Sequence, residues 1–185
     1  MIEATSALEA KQLITEGLYR YCRAIDRMDR ELLATVFHED APVDFPYYSG
    51  SWEGFVDWVW PSHEQFAIHS HQVTNILIEL QSDGHGAESE SYVTASLWQP
   101  ATDGEEVDGS VAPGHDVVAG TRTGVEHCVR ARYLDRWSLR DGRWAIAYRR
   151  CVVDLQTIST TTGLTGEGRR DRLDPSYRSA AARPA

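Results

Sequence analysis

Tyr133-Leu134-Asp135-Arg136-Trp137-Ser138-Leu139-Arg140-Asp141-Gly142-Arg143-Trp144-Ala145-Ile146-Ala147-Tyr148 is the stretch that decides the fold. Aromatic and aliphatic residues recur on both sides of Asp141-Gly142, a dipeptide suited to a tight turn that needs positive φ. It reads as a hairpin between strands over residues 124–138 and 143–157. Two more such runs, 68–80 and 87–98, flank Ser82-Asp83-Gly84 and add a second pair of strands.

Towards the N-terminus the period changes from two to three or four. Ser6 and Glu9 have capping-box spacing, and Ile14, Leu18, Tyr21, Ile25 and Met28 form one apolar stripe, so residues 6–28 read as a long amphipathic helix. Asp29 is placed to cap a short second helix carrying Leu32, Leu33, Val36 and Phe37. A short strand, Val43 to Tyr47, and a turn at Ser49-Gly50 follow. Trp52 to Phe66 reads as a third helical segment, punctuated by Pro61. Helices followed by a meander of long strands give an α+β order, with a curved, mainly antiparallel sheet wrapped around the helices as a cone. The open end of such a cone is a pocket. Residues 1–159 are expected to form this single domain, with 99–123 as a long Gly-, Asp- and Pro-rich loop and 160–185 as a flexible tail.

Composition narrows the partners. The net charge is −10 and no Lys/Arg block lies on a periodic element, which argues against nucleic acid and anionic membranes. No apolar run approaches the roughly 20 residues of a membrane helix. Cys22, Cys128 and Cys151 lack metal-ligand spacing, and no signal peptide is apparent, so free thiols in a reducing cytoplasm are expected.

The candidate chemistry centres on Asp26 and His71. Asp26 falls at the edge of the first helix's apolar stripe, about a turn beyond Tyr21; it is either an exposed helix-end charge or a buried group needing a partner. His69 and His71 share one strand face, whereas Ile76, Ile78 and Leu80 take the other parity. A bulge near Thr74-Asn75 would reconcile them and turn the histidines inward. A carboxylate beside His71 would make it a poised general base. Arg149 suits either an oxyanion contact or a solvated strand end. His127 shares the parity of Val125, Val129 and Tyr133, so it faces inward as a pocket or a core residue. Tyr47 and Tyr48 offer phenols or simple packing, and the Trp52, Trp58 and Trp60 group suggests either a ring-shaped apolar ligand or core. His69-Ser70-His71 has the look of a metal-binding pair, but Glu79 is too far along to complete it and no third-ligand spacing exists, so no metal is expected. No phosphate-binding or nucleophile-elbow motif is present.

Tyr21 and Asp26, His69-Ser70-His71 with Thr74-Asn75, and Asp141-Gly142-Arg143-Trp144 occur in an order that resembles the SnoaL-like branch of the nuclear transport factor 2-like superfamily. The resemblance spans residues 6–157 and is greatest to the group of scytalone dehydratase, bile-acid 7α-dehydratase and hexachlorocyclohexane dehydrochlorinase. It implies a cone-shaped α+β barrel and a cofactor-independent lyase or isomerase acting on a small apolar cyclic substrate. By that resemblance His71 is the base, Asp26 its orienter, Tyr21 an acid or substrate donor, and Arg149 the cavity arginine. Val153 stands where the bile-acid enzyme has an arginine, which departs from bile-acid and acyl-CoA substrates. Tyr47, Tyr48, Trp60, His69 and His127 are the expected substrate contacts. Relatives are homo-oligomers, and a trimer is expected before a dimer. The other reading is a non-catalytic ligand binder or a scaffold like a dioxygenase β-subunit.

Overall fold

Helix α1 (Ala4–Arg27) is the post around which the sheet curves. Ile14, Leu18, Tyr21 and Ile25 repeat along one face, and none is more than 3% exposed. The computed structural model describes residues 4–101, 121–164 and 168–177. Within it α1 starts two residues ahead of Ser6, so Ser6 sits in the first turn and not at the expected cap. The helix ends sharply. Met28 takes φ 51°, the Met28 N–H reaches the Ile25 carbonyl, and the Asp29 N–H donates to the Ala24 carbonyl at 2.9 Å. This pair of bonds satisfies carbonyls that a helix end leaves orphaned.

Asp29 then caps α2 (Arg30–Ala34), its carboxylate accepting from the Leu32 N–H at 3.0 Å. α2 is shorter than its apolar pattern suggests; Val36 follows it in a turn, its N–H donating to the Leu33 carbonyl, and Phe37 bridges to Ile146, both side chains buried. β1 (Pro42–Phe45) and β2 (Tyr48–Ser51) form a hairpin whose turn is Pro46-Tyr47. The expected turn at Ser49-Gly50 is thus strand, because Pro46 ends the ladder earlier. Ser51 caps α3 (Trp52–His63), with Pro61 in its last turn.

β3 (Ile68–Leu80), β4 (Gly86–Pro100), β5 (Thr121–Arg140) and β6 (Arg143–Leu164) complete a six-stranded, unclosed sheet of order β2-β1-β6-β5-β4-β3. β1 runs parallel to β6 and all other neighbours are antiparallel. The mixed α+β cone read from the sequence is the observed architecture. Asp141 and Gly142 both take positive φ (51° and 74°), as the β5–β6 hairpin requires. Gly17 gives Trp137 room against α1; a Cβ there would lie 2.9 Å from the indole ring.

Two bulges aim the sheet. In β3 the register shifts between Thr74 and Leu77, with Asn75 at φ 48°, so odd-numbered side chains face inward before the bulge and even-numbered ones after it. In the β5–β6 hairpin the register shifts between Arg136 and Trp137, which sets Arg149 opposite Asp135.

β6 runs past the expected end at 157 to Leu164, so the first residues assigned to a tail are strand. Residues 168–177 come back against α1, where Asp174 pairs with Arg27 at 3.3 Å and the Tyr177 hydroxyl donates to Asp29 at 2.7 Å. Of the expected 99–123 loop, β4 and β5 take both ends, and 102–120 lie outside the described residues, as do 165–167 and 178–185. No described helix is long and apolar enough to cross a membrane.

Candidate functional site

A cavity of about 370 Å³ opens between α1, α3 and the concave face of the sheet. Its described lining contains no lysine, arginine, aspartate or glutamate side chain. Phe55, Trp58 and Phe66 line one side and Val93, Val129 and Tyr133 the other.

His71 lines this cavity, and Asp26 meets its ring from outside the lining. Asp26 lies in the last turn of α1, and β3 crosses beside it. The His71 Nδ1 stands 2.7 Å from Asp26 Oδ1, and the His71 backbone N–H donates to the same carboxylate at 3.0 and 3.2 Å. The two side chains are only 13% and 9% exposed. An ionised carboxylate accepts and cannot donate, so a neutral His71 ring bonded to it carries its proton on Nδ1 and its lone pair on Nε2. His71 lines the cavity. The bulge foreseen at Thr74-Asn75 is what makes this possible. It lets His69 and His71 face inward while Ile78 stays in the core.

His69 is buried behind this pair. Its Nδ1 accepts from Arg170 Nη2 at 3.1 Å, and its ring is held neutral by burial first and by the neighbouring Arg170, His63 and His71 next, which push its pKa down to about 2. His63, at the end of α3, lines the cavity, with its ring 4.5 Å from that of His69. Burial, then His71 and Arg170, pushes His63 down to about 4. Asp26, His69 and His71 bring donor atoms within 4.8 Å of one another. They do not suit a cation as they stand. Arg170 can only donate, so a neutral His69 has Nδ1 engaged and its proton on Nε2, leaving no free lone pair.

Tyr21 and Tyr133 form another part of the wall, their rings 5.4 Å apart and nearly perpendicular. Burial outweighs the pull of Arg149 and pushes Tyr21 up to about 12; Tyr133 is raised for the same reason. Both are therefore hydroxyl donors at neutral pH. Arg149 occupies neither expected setting. It is fully buried and outside the cavity lining, bidentate to Asp135 at 2.7 and 2.8 Å. Its guanidinium carbon lies 4.0 Å from the centroids of both Tyr21 and Tyr133. The hairpin bulge turns it into the core, against the inner side of Tyr21 and Tyr133, which line the cavity. Asp135 holds Arg149 cationic against the desolvation that would discharge it.

The remaining expected contacts divide. Tyr47 lines the mouth and is 81% exposed, and His127 lines the cavity beside Phe66. Tyr48 instead donates to the Ser51 carbonyl and packs on Phe55, outside the lining. Trp60 also lies outside it, and among the tryptophans of α3 it is Trp58 that faces the cavity. His63, Asp135 and Arg170 were not singled out in the sequence. Asp135 carried a usable signal, since it shares strand parity with Tyr133 and Trp137. His63 carried none.

Comparison with known proteins agrees with this architecture. The family profile described as a SnoaL-like domain matches residues 6–150. A type 2 LinA hexachlorocyclohexane dehydrochlorinase superposes with a TM-score of 0.66 at 17% identity, covering 89% of this chain and 98% of that one. A candidate scytalone dehydratase from Novosphingobium aromaticivorans gives 0.63 at 19%, covering 89% and 97%. The Kfla4162 protein of Kribbella flavida gives 0.63 at 17%, covering 82% and 95%. At these identities the likeness is one of fold. A search of curated proteins finds no match.

Proposed function

Since the chain belongs to the SnoaL-like domain family, we propose that it is a cofactor-independent lyase, of dehydratase or dehydrohalogenase type, or an isomerase, acting on a small uncharged cyclic compound. One observation carries this reading. An imidazole that lines the cavity is joined at 2.7 Å to a carboxylate outside the lining, and no charged side chain is described in the lining. A cavity of that volume suits one or two rings, and a described lining without cations disfavours carboxylate or phosphate groups on the ligand.

His71 Nε2 takes a proton from a carbon acidified by a neighbouring group, and Asp26 stabilises the imidazolium that forms. The released C–H pair becomes a new double bond. A β-hydroxyl departs as water with a proton returned by the imidazolium; a halide departs as the anion. In an isomerisation the same proton returns to another carbon. Tyr21 donates a hydrogen bond to the oxygen or leaving group, and Arg149 acts from behind it as a positioning charge. His63, Tyr47 and His127 shape the substrate's seat. The names of the fold relatives, a dehydrochlorinase and a candidate dehydratase, support the reaction class. A cytoplasmic homo-oligomer, trimer before dimer, goes with this reading; outward-facing Leu77 and Tyr92, 62% and 48% exposed, offer apolar surface for it.

The test is turnover of a panel of uncharged cyclic β-hydroxy and β-halo carbonyl compounds by wild type and His71→Ala. Product formation by wild type, lost in His71→Ala with circular dichroism unchanged, is the expected result. Tight binding without turnover would replace the enzyme by a ligand-binding or scaffolding role.

A further inference from the structure

The segment 168–177, which follows the long β6 arm, delivers a single side chain into the ground between α1, α3 and β3. Arg170 is half-buried there. Its Nη1 donates to the carbonyls of His63 and Phe66, the latter at 3.0 Å, its Nε to the carbonyl of Asp26 at 3.4 Å, and its Nη2 to His69 Nδ1. One guanidinium thus ties the end of α1 that carries Asp26 to the turn that follows α3 and to the strand that carries His71. Arg172 and Tyr177 secure the segment on Asp29, and Arg23 donates to the Ser176 carbonyl.

We propose that Arg170 is a positioning residue of the Asp26–His71 site, fixing His69 in its Nε2–H tautomer and holding the two backbone elements that carry the pair at their working separation. The catalytic part of this claim rests on the function proposed above; the tautomer and the geometry do not. The arrangement follows from donor chemistry. A guanidinium has five N–H groups and no acceptor, so wherever it meets an imidazole it selects the nitrogen that bears the lone pair. Two of the three carbonyls it binds, those of Asp26 and His63, lie in the last turns of α1 and α3, and that of Phe66 lies in the turn after α3. A Lys has one point charge and cannot span them. The charged and titratable groups around Arg170 are Asp26 and Arg27 on α1, His63 on α3 and His69 on β3. Burial, first, and Arg27 oppose its charge, while Asp26 favours it. The cation therefore also neutralises the helix end beside the Asp26 carboxylate.

The experiment is nitrogen-15 NMR of the imidazoles in wild type, Arg170→Lys and Arg170→Met, with the Nδ1–H of His71 followed by its exchange with water. In wild type His69 shows a lone-pair Nδ1 and a protonated Nε2. Arg170→Met is expected to mix the His69 tautomers and to speed exchange of the His71 Nδ1–H by roughly tenfold or more, the loss of a charge-assisted anchor. Arg170→Lys is expected to keep the His69 tautomer and lose the backbone anchoring, so exchange quickens without mixing. An unchanged His69 tautomer in a folded Arg170→Met protein overturns the proposal. If Arg170→Met does not fold, a wild-type-like exchange rate in Arg170→Lys overturns the anchoring role. Full turnover by His71→Ala would remove the catalytic reading and leave these spectra as they are.

Discussion

His71 is useful as a base only while its Nε2 lone pair is free, and one carboxylate at 2.7 Å arranges that. Asp26→Asn keeps the shape and loses the charge that supports the imidazolium. Turnover is expected to fall by roughly 10²–10⁴-fold, with little change in KM, when progress curves on any accepted substrate are compared. Tyr21→Phe removes one hydrogen-bond donor and should cost about tenfold in kcat. Wild-type activity in Tyr21→Phe would show that the phenol is only packing. Helical spacing put Tyr21 on the inward face and Asp26 at its edge, whereas His71 faced inward only through an inferred bulge, and the family resemblance joined the three in one site. The sequence could not show what they meet, and a rival reading as exposed helix-end charge stood until the partner was seen.

Elements add what spacing cannot. Asp141-Gly142 announced the hairpin, but a two-residue turn carried straight through would set Arg149 against Leu134. The bulge at Arg136–Trp137 slips the ladder by one residue and brings Arg149 to Asp135. A bulge leaves no strong mark in a single sequence, so both readings of Arg149 missed its burial. The β3 bulge was inferable only because two sets of inward residues disagreed in parity. The buried pair yields a prediction at this scale. Asp135→Asn leaves a guanidinium without its counter-charge and should destabilise the protein by about 3–5 kcal/mol, read from urea unfolding. The double variant Asp135→Leu/Arg149→Met should recover most of that loss. Equal losses in the single and double variants would mean that packing, and not charge, is what the pair supplies.

At the scale of the whole molecule, the net charge of −10 surrounds a cavity with no charged lining side chain described, and the neutral histidines beside it tie stability to pH. His63 and His69 bind a proton in the folded protein only near 4 and 2, whereas in the unfolded chain each does so near the ordinary histidine value of about 6.5. As pH falls below about 6.5 the unfolded state takes up protons first. Their contribution to stability, fully present above that value, is therefore lost on acidification, by at most about 1.4 kcal/mol per pH unit per histidine. Urea midpoints should drop steadily from pH 6.5 to 4, and His63→Gln should flatten that slope. A slope unchanged in His63→Gln would place the acid sensitivity elsewhere. The global order of helices and strands was readable because periodicity is a property of whole elements. The return of residues 168–177 was not, since its Arg-Asp alternation reads as solvated chain until Asp29 and Arg27 are placed beside it.

The tautomer of His71 is the most direct test. In a nitrogen-15 spectrum at neutral pH, wild type should show Nδ1 protonated and Nε2 with its lone pair, and Asp26→Asn should show a mixture. A wild-type ring protonated on Nε2 would leave no lone pair for the cavity, and one indifferent to Asp26→Asn would leave Asp26 without its orienting role; either would contradict the general-base account.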